Sequence, residues 1–167
     1  WETVSAFSNT NGGFLVFAGQ HITFENNDME SQISYSFGSN IKILNNIFNA
    51  STYTNQKPGI SFGAVGETVF DNLISGNTIN GYSIGINANY KNAEISNNTI
   101  NECFTAFQFK NPENMDIHDN NITSTVAGSR GFWAHLASLN NVNIYNNEIA
   151  VDGHGISFNF VNQELGQ

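Results

Sequence analysis

Six stretches of the chain repeat one order of apolar and polar positions: apolar, any residue, a residue tolerant of positive φ, Asn, any residue, apolar. They occupy 24–29, 43–48, 74–79, 95–100, 117–122 and 144–149, and Ile95-Ser96-Asn97-Asn98-Thr99-Ile100 is representative. Their fourth-position residues, Asn27, Asn46, Asn77, Asn98, Asn120 and Asn147, lie 19, 31, 21, 22 and 27 residues apart. A recurrence at that spacing, built on β-type residues, predicts a solenoid in which each copy lies on the one before.

Between the copies lie further short apolar segments: 13–17, 33–37, 59–62, 83–87, 105–109, 131–136 and 155–160. Most alternate with a period of two, which predicts strands with one face inward and one in water. No stretch holds a 3.6-residue period over a helical length, so no helix is expected. Coils then run over about 13–32, 33–58, 59–82, 83–104, 105–130 and 131–154, with a seventh opening at 155 and a polar insertion around Ala50 to Lys57. Coils of about 22 residues with three short strands predict an all-β chain, a right-handed parallel β-helix of about six to seven coils with equivalent strands about 4.8 Å apart. A β-sandwich has no reason to repeat one six-residue phrase six times.

The phrase resembles the repeat of the pectin-lyase-like right-handed β-helix superfamily, over nearly the whole chain. That resemblance implies the fold and does not by itself choose a reaction.

The third position reads Asn26, Asn45, Gly76, Asn97, Asp119 and Asn146, residue types that enter the left-handed region at least cost. A single such residue between β-residues makes a sharp bend, so one sheet turns into the next there. The following Asn is expected to face inward. A buried amide without partners costs about 1–3 kcal/mol, but stacked amides can bond along the axis as a ladder. Ile43, Ile74, Ile95, Ile117 and Ile144 form one expected core column, and Ile79, Ile100, Ile122 and Ile149 a second. Phe37, Phe62, Phe109 and Phe158 are expected to fill the core of the other sheet.

Composition narrows the function classes. Only 11% of the residues are charged, and the net charge of −9 arises from 14 acidic against five basic residues. Such a surface disfavours nucleic acid, which needs a Lys/Arg-rich face. No run approaches the roughly 18 apolar residues of a membrane span. Cys103 is alone, which excludes an internal disulfide and a cysteine-rich metal site. No cofactor is expected, and no ligand pattern supports a bound calcium. Glu94, Asp116 and Asp119 read as solubilising charge on another face.

Because the inward positions are structural, chemistry belongs on outward positions and turns. With Phe107, Ala134 and Phe158 inward, Gln108, Trp133, His135, Ser157 and Asn159 face out, with Lys110 at the edge and Arg130, Asp152 and His154 in the turns leading into the strands. An indole offers its face to the C–H side of a sugar, while amides and guanidinium groups bind hydroxyls. Trp133, Gln108, Asn159 and Lys110 are therefore the candidate substrate-binding residues, and His135, His154, Asp152 and Arg130 the candidate catalytic ones.

Gly153-His154-Gly155 is similar to the Gly-His-Gly segment of polygalacturonase-type hydrolases, whose paired carboxylates act as acid and base. The preceding coils here lack the matching Asp pair, and no Arg-any-Lys segment follows Ser157. A superfamily lyase or epimerase would instead need a base and a group neutralising a uronate carboxylate. Arg130 with His135 or His154 would fill those roles, and Asp152 would orient a His or hold a cation.

The sequence thus leads to an extracellular carbohydrate-binding or carbohydrate-active β-helix, lyase- or hydrolase-like, acting on a polysaccharide along one sheet. The competing reading is a non-catalytic shaft, as in a phage tailspike or surface protein. Residues 1–12 are expected to form an N-terminal segment or partial cap and 13–167 the β-helix, as part of a longer protein. Further coils, a cap or other subunits are expected at the C-terminal pole. The expected location is the cell exterior, the cell surface or a virion surface.

Overall fold

The computed structural model describes residues 14–16, 19–30, 32–35, 38–50, 58–62, 69–88, 91–135 and 139–159. The expected N-terminal segment over 1–12, Phe37 and residues 51–57 of the insertion lie outside them. The described residues hold strands and no helix, and all the strand pairings are parallel.

The first sheet stacks seven strands: Phe14–Val16, Ile33–Tyr35, Pro58–Phe62, Ile84–Ala88, Thr105–Phe109, Arg130–His135 and His154–Asn159. The second begins with two pairs of short strands, Gly19–Gln20 with Gly38–Ser39 and Thr23–Glu25 with Lys42–Leu44. It continues through Val69–Ser75, Lys91–Ser96, Glu113–His118 and Asn140–Tyr145. The third stacks Asp28–Met29, Ile47–Asn49, Thr78–Asn80, Thr99–Asn101, Asn121–Ser124 and Glu148–Val151. The chain visits the three in turn, which is the path of a parallel β-helix.

Register carries like residues onto like. Phe24, Ile43, Ile74, Ile95, Ile117 and Ile144 form one inward column. Met29, Phe48, Ile79, Ile100, Ile122 and Ile149 form a second. Ile33, Ile60, Ile86, Phe107, Phe132 and Ile156 form a third. The Phe107 and Phe132 rings stack at 4.8 Å and 10°. Burying an Ile or Phe side chain is worth about 1.5–3 kcal/mol, so these columns are the main cohesive term. Phe109 is buried and Phe158 packs partly buried against the core, as expected; the Phe62 side chain lies outside the described residues.

The bends fall where the phrase puts them: φ is 58° at Asn26, 54° at Asn45, 71° at Gly76, 57° at Asn97, 55° at Asp119 and 54° at Asn146. A second left-handed column runs through His21, Asn40, Asp71, Asn92, Asn114 and Asn141, and kinks the second sheet at every coil. The Asn ladder forms inside the first bend. Asn98 Nδ2 donates to Asn120 Oδ1 at 2.9 Å and to the carbonyls of Ile74 and Ser96, both at 3.0 Å. The same contacts between Asn side chains join Asn27 to Asn46, Asn46 to Asn77, Asn77 to Asn98 and Asn120 to Asn147.

Simple alternation fails at the start of the first-sheet strands, where Gly85 and Ile86, Ala106 and Phe107, and Gly131 and Phe132 are both buried. A Cβ at Gly85 would lie 2.7 Å from the Ala106 carbonyl oxygen and 2.9 Å from Ile100 Cγ2. The coil turns inward so tightly there that glycine is required at 85 and 131.

Candidate functional site

The outer face of the first sheet carries a single register column: Ser34, Ser61, Asn87, Gln108, Trp133 and Ser157. Its described members are partly exposed, as outward positions of a parallel sheet should be. Short polar side chains occupy most of the column, and the indole of Trp133 is its one large aromatic group.

Arg130 opens the strand that carries Trp133. Its backbone N–H donates to the Phe104 carbonyl at 2.8 Å, which fixes the strand to the preceding coil. Its guanidinium lies 4.9 Å from the Trp133 ring centroid and 5.6 Å from that of Phe104. Cation–π contact of this kind is worth about 0.5–1 kcal/mol where exposed, and it holds the long side chain flat along the sheet. Arg130 pairs laterally with His154, which is exposed at the start of the next strand.

The candidate residues divide along the strand. Arg130 and His154 share one end. His135 and Asn159 pair at the other end, with their side chains outside the described residues. Five extended positions separate Arg130 from His135, about 16 Å at roughly 3.3 Å per residue. Lys110, exposed, immediately follows Phe109, so it lies at the His135 end. Gln108 and Trp133 occupy the middle.

Asp152 lies in the bend before His154, and its Oδ2 accepts the Gly128 N–H at 2.9 Å. Its own N–H donates to the Ser129 hydroxyl at 3.1 Å. The carboxylate thus ties two stacked turns together. Gly153 has a packing reason of its own, since a Cβ there would sit 2.8 Å from the Gly128 carbonyl carbon. Gly155 continues the small-residue positions that begin the first-sheet strands. Each glycine of Gly153-His154-Gly155 therefore has a place in the coil geometry.

A cluster that sequence reasoning passed over lies on the second sheet. His118 Nδ1 is 2.7 Å from Asp119 Oδ2, and its Nε2 is 3.5 Å from Glu94 Oε1. The imidazole stacks on Tyr145 at 4.8 Å and 10°. Ser96 donates to Glu94 Oε1 at 2.9 Å, and Asn143 donates to Asp116 Oδ1 at 2.9 Å. His118 and Tyr145 occupy the second position of the repeated phrase, where Glu25, Leu44, Ser75 and Ser96 stand in other coils. That residue variety was the available signal of an outward column.

Among the described residues no three His, Cys, Asp or Glu groups gather to hold an ion. Met29 and Met115 are buried in the core. Burial pushes the Cys103 thiol up to about 12, and its Sγ donates to the Asn101 carbonyl at 3.5 Å. The thiol is buried and engaged by a backbone carbonyl.

Residues 3–159 match the family described as periplasmic copper-binding protein (NosD). No curated protein and no solved structure matches the chain significantly. The chain belongs to the NosD family, and its repeat is of the right-handed parallel β-helix type. The soft sulfur donors and clustered imidazoles that suit copper are not brought together among the described residues, so the described donor set does not fit the metal in the family's description.

Proposed function

We propose that this chain is a carbohydrate-binding β-helix that lays a polysaccharide along the outer face of its first sheet. The observation that carries the reading is the guanidinium of Arg130 lying 4.9 Å over the Trp133 ring, beside Gln108 in register. An aromatic ring that carries a guanidinium on one face, with an amide in register beside it, offers a stacking surface and hydroxyl-binding donors. A sugar ring has an apolar C–H face for the first and hydroxyls at its rim for the second. Lys110 and Asn159 would extend contacts toward the far end of the strand. The location consistent with this reading, and with the family's periplasmic description, lies outside the cytoplasm.

Binding is preferred to catalysis for two reasons. The Asp152 carboxylate is engaged by a backbone N–H, and Arg130 lies about 16 Å along the strand from His135, beyond direct proton-transfer reach. His154 with Arg130 remains the pair that a lyase-like reaction would use. A second reading, a stiff structural shaft, draws support from outward ladders that bond to themselves. In one of them Asn80 donates to Asn49, Asn101 to Asn80 and Thr123 to Asn101, at 2.7, 2.9 and 2.8 Å.

A glycan-array and degradation screen comparing the wild type with Trp133→Ala separates these readings. Glycan binding that the substitution abolishes, without product, supports the binding module. Product formation selects an enzyme, absence of any glycan ligand selects the shaft, and binding unaffected by the substitution removes Trp133 from the site.

A further inference from the structure

The outer face of the third sheet is a different kind of surface from that of the first. Thr78-Ile79-Asn80, Thr99-Ile100-Asn101 and Asn121-Ile122-Thr123 stack strand on strand without a slip. The middle Ile of each is buried, so the residues on either side of it face out. One outward column therefore runs through Ile47, Thr78, Thr99 and Asn121. The other runs through Asn49, Asn80, Asn101 and Thr123. Neither holds a charged side chain over these coils, although the chain carries 14 acidic residues. Charge returns only where the first column continues, at Asp28 and Glu148. At the rim, the Glu102 carboxylate is engaged by the Thr125 N–H and hydroxyl, the latter at 2.9 Å.

This face is fixed as well as uncharged. The side-chain ladder from Asn49 to Thr123 holds one column in place before any ligand arrives, so little rotamer freedom is lost on binding. Ladders of this kind also keep a sheet flat. The result is a net of small polar and methyl groups with two repeats. They are about 4.8 Å between coils and about 6.6 Å between the two outward residues of one strand. Those repeats lie close to the oxygen spacings along the two axes of a prism face of hexagonal ice. Charged side chains would keep hydration shells that do not fit such a lattice, whereas hydroxyls, amides and methyls at its spacing do fit. A sugar ring finds no aromatic plane on this face, and a protein partner finds no aromatic or Arg anchor.

We infer that the outer face of the third sheet binds crystalline water. The hydroxyls of Thr78 and Thr99 and the amides of Asn80 and Asn101 take up lattice positions, and the methyl groups of Ile47 and the threonines lie in its hollows. The face is separate from the Trp133 column, so this inference does not depend on glycan binding there.

The test freezes a solution of the full chain slowly and measures its partition between ice and liquid, together with the growth of ice grains held just below melting. The wild type should be enriched in the ice and should arrest grain growth. Thr99→Lys and Asn121→Lys each put a charge into the net and should each lower the enrichment by roughly tenfold. Asn143→Lys adds the same charge at an exposed position of the second sheet and should behave as the wild type. Urea midpoints matching that of the wild type show that each variant keeps the solenoid. Exclusion of the wild type from ice overturns the inference. So does enrichment unchanged in both Thr99→Lys and Asn121→Lys, or an equal loss in all three variants.

Discussion

Asn120 Oδ1 accepts both the backbone N–H of Asn98, at 3.0 Å, and its side-chain Nδ2, at 2.9 Å. One oxygen thus satisfies two donors of the coil below, inside a bend from which water is excluded. Repeated from Asn27 to Asn147, this relationship explains why Asn and not Gln or Ser occupies the position. Only its short amide bonds at once to its neighbour and to the backbone around the turn.

Asn98→Leu should be strongly destabilising. Asn98 is buried, and its loss strands the Asn77 N–H and removes its hydrogen bonds to Asn77 Nδ2, to Asn120 Oδ1 and to the carbonyls of Ile74 and Ser96. With about 1–3 kcal/mol for the stranded N–H and about 1 kcal/mol for each hydrogen bond lost, a loss of about 3 kcal/mol or more is expected from urea unfolding. A change within about 0.5 kcal/mol would remove the ladder from the account of stability.

At the bend before it, Asn97 has a φ of 57°. Asn97→Gly should be tolerated, whereas Asn97→Val should cost about 1–2 kcal/mol, because a β-branched side chain resists the left-handed region. Thermal or urea midpoints of the two variants should therefore separate clearly.

Gly85 and Gly155 make an internal comparison. Gly85→Ala forces a Cβ to 2.7 Å from the Ala106 oxygen, while the nearest atom to a Cβ at Gly155 is Ile149 Cγ2 at 3.8 Å. Gly85→Ala should cost about 1–3 kcal/mol and Gly155→Ala within about 0.5 kcal/mol.

Stability should fall on the alkaline side. Burial keeps the Cys103 thiol protonated to about pH 12 in the folded chain, against an ordinary value of 9.0. Burial likewise raises the Tyr82 hydroxyl. The unfolded chain thus holds fewer protons from about pH 9 upward, and the unfolding free energy declines through that window. Urea midpoints between pH 8 and 10.5 should show this slope, and Cys103→Ala should flatten it. An identical slope in the variant would assign the effect elsewhere.

Much of the fold was legible because structure and repetition coincide. The phrase at 95–100 names its own bend, ladder and two core columns, and each takes the expected place. The second bend column was not legible. His21, Asn40, Asp71 and Asn92 share tolerance of the left-handed region, but they lack the flanking pattern that marked the first column. The cluster at His118 was missed for a related reason: outward positions vary from coil to coil, so nothing repeats to announce them. The outer face of the first sheet, proposed as the site, was legible as a surface, since alternation indicated that Gln108, Trp133 and Ser157 face out. Alternation could not show that Arg130 lies over Trp133, because that depends on the turn at Phe104.

Equilibrium binding of a glycan identified by the array, by wild type, Trp133→Ala and Tyr145→Ala, tests the account most directly. Tyr145 is an exposed aromatic on the second sheet and serves as the control. Loss of the indole's stacking contact at the proposed site should weaken affinity by roughly tenfold or more, at 1.4 kcal/mol per decade, with Tyr145→Ala unchanged. Equal affinity of wild type and Trp133→Ala, or a loss confined to Tyr145→Ala, would contradict it.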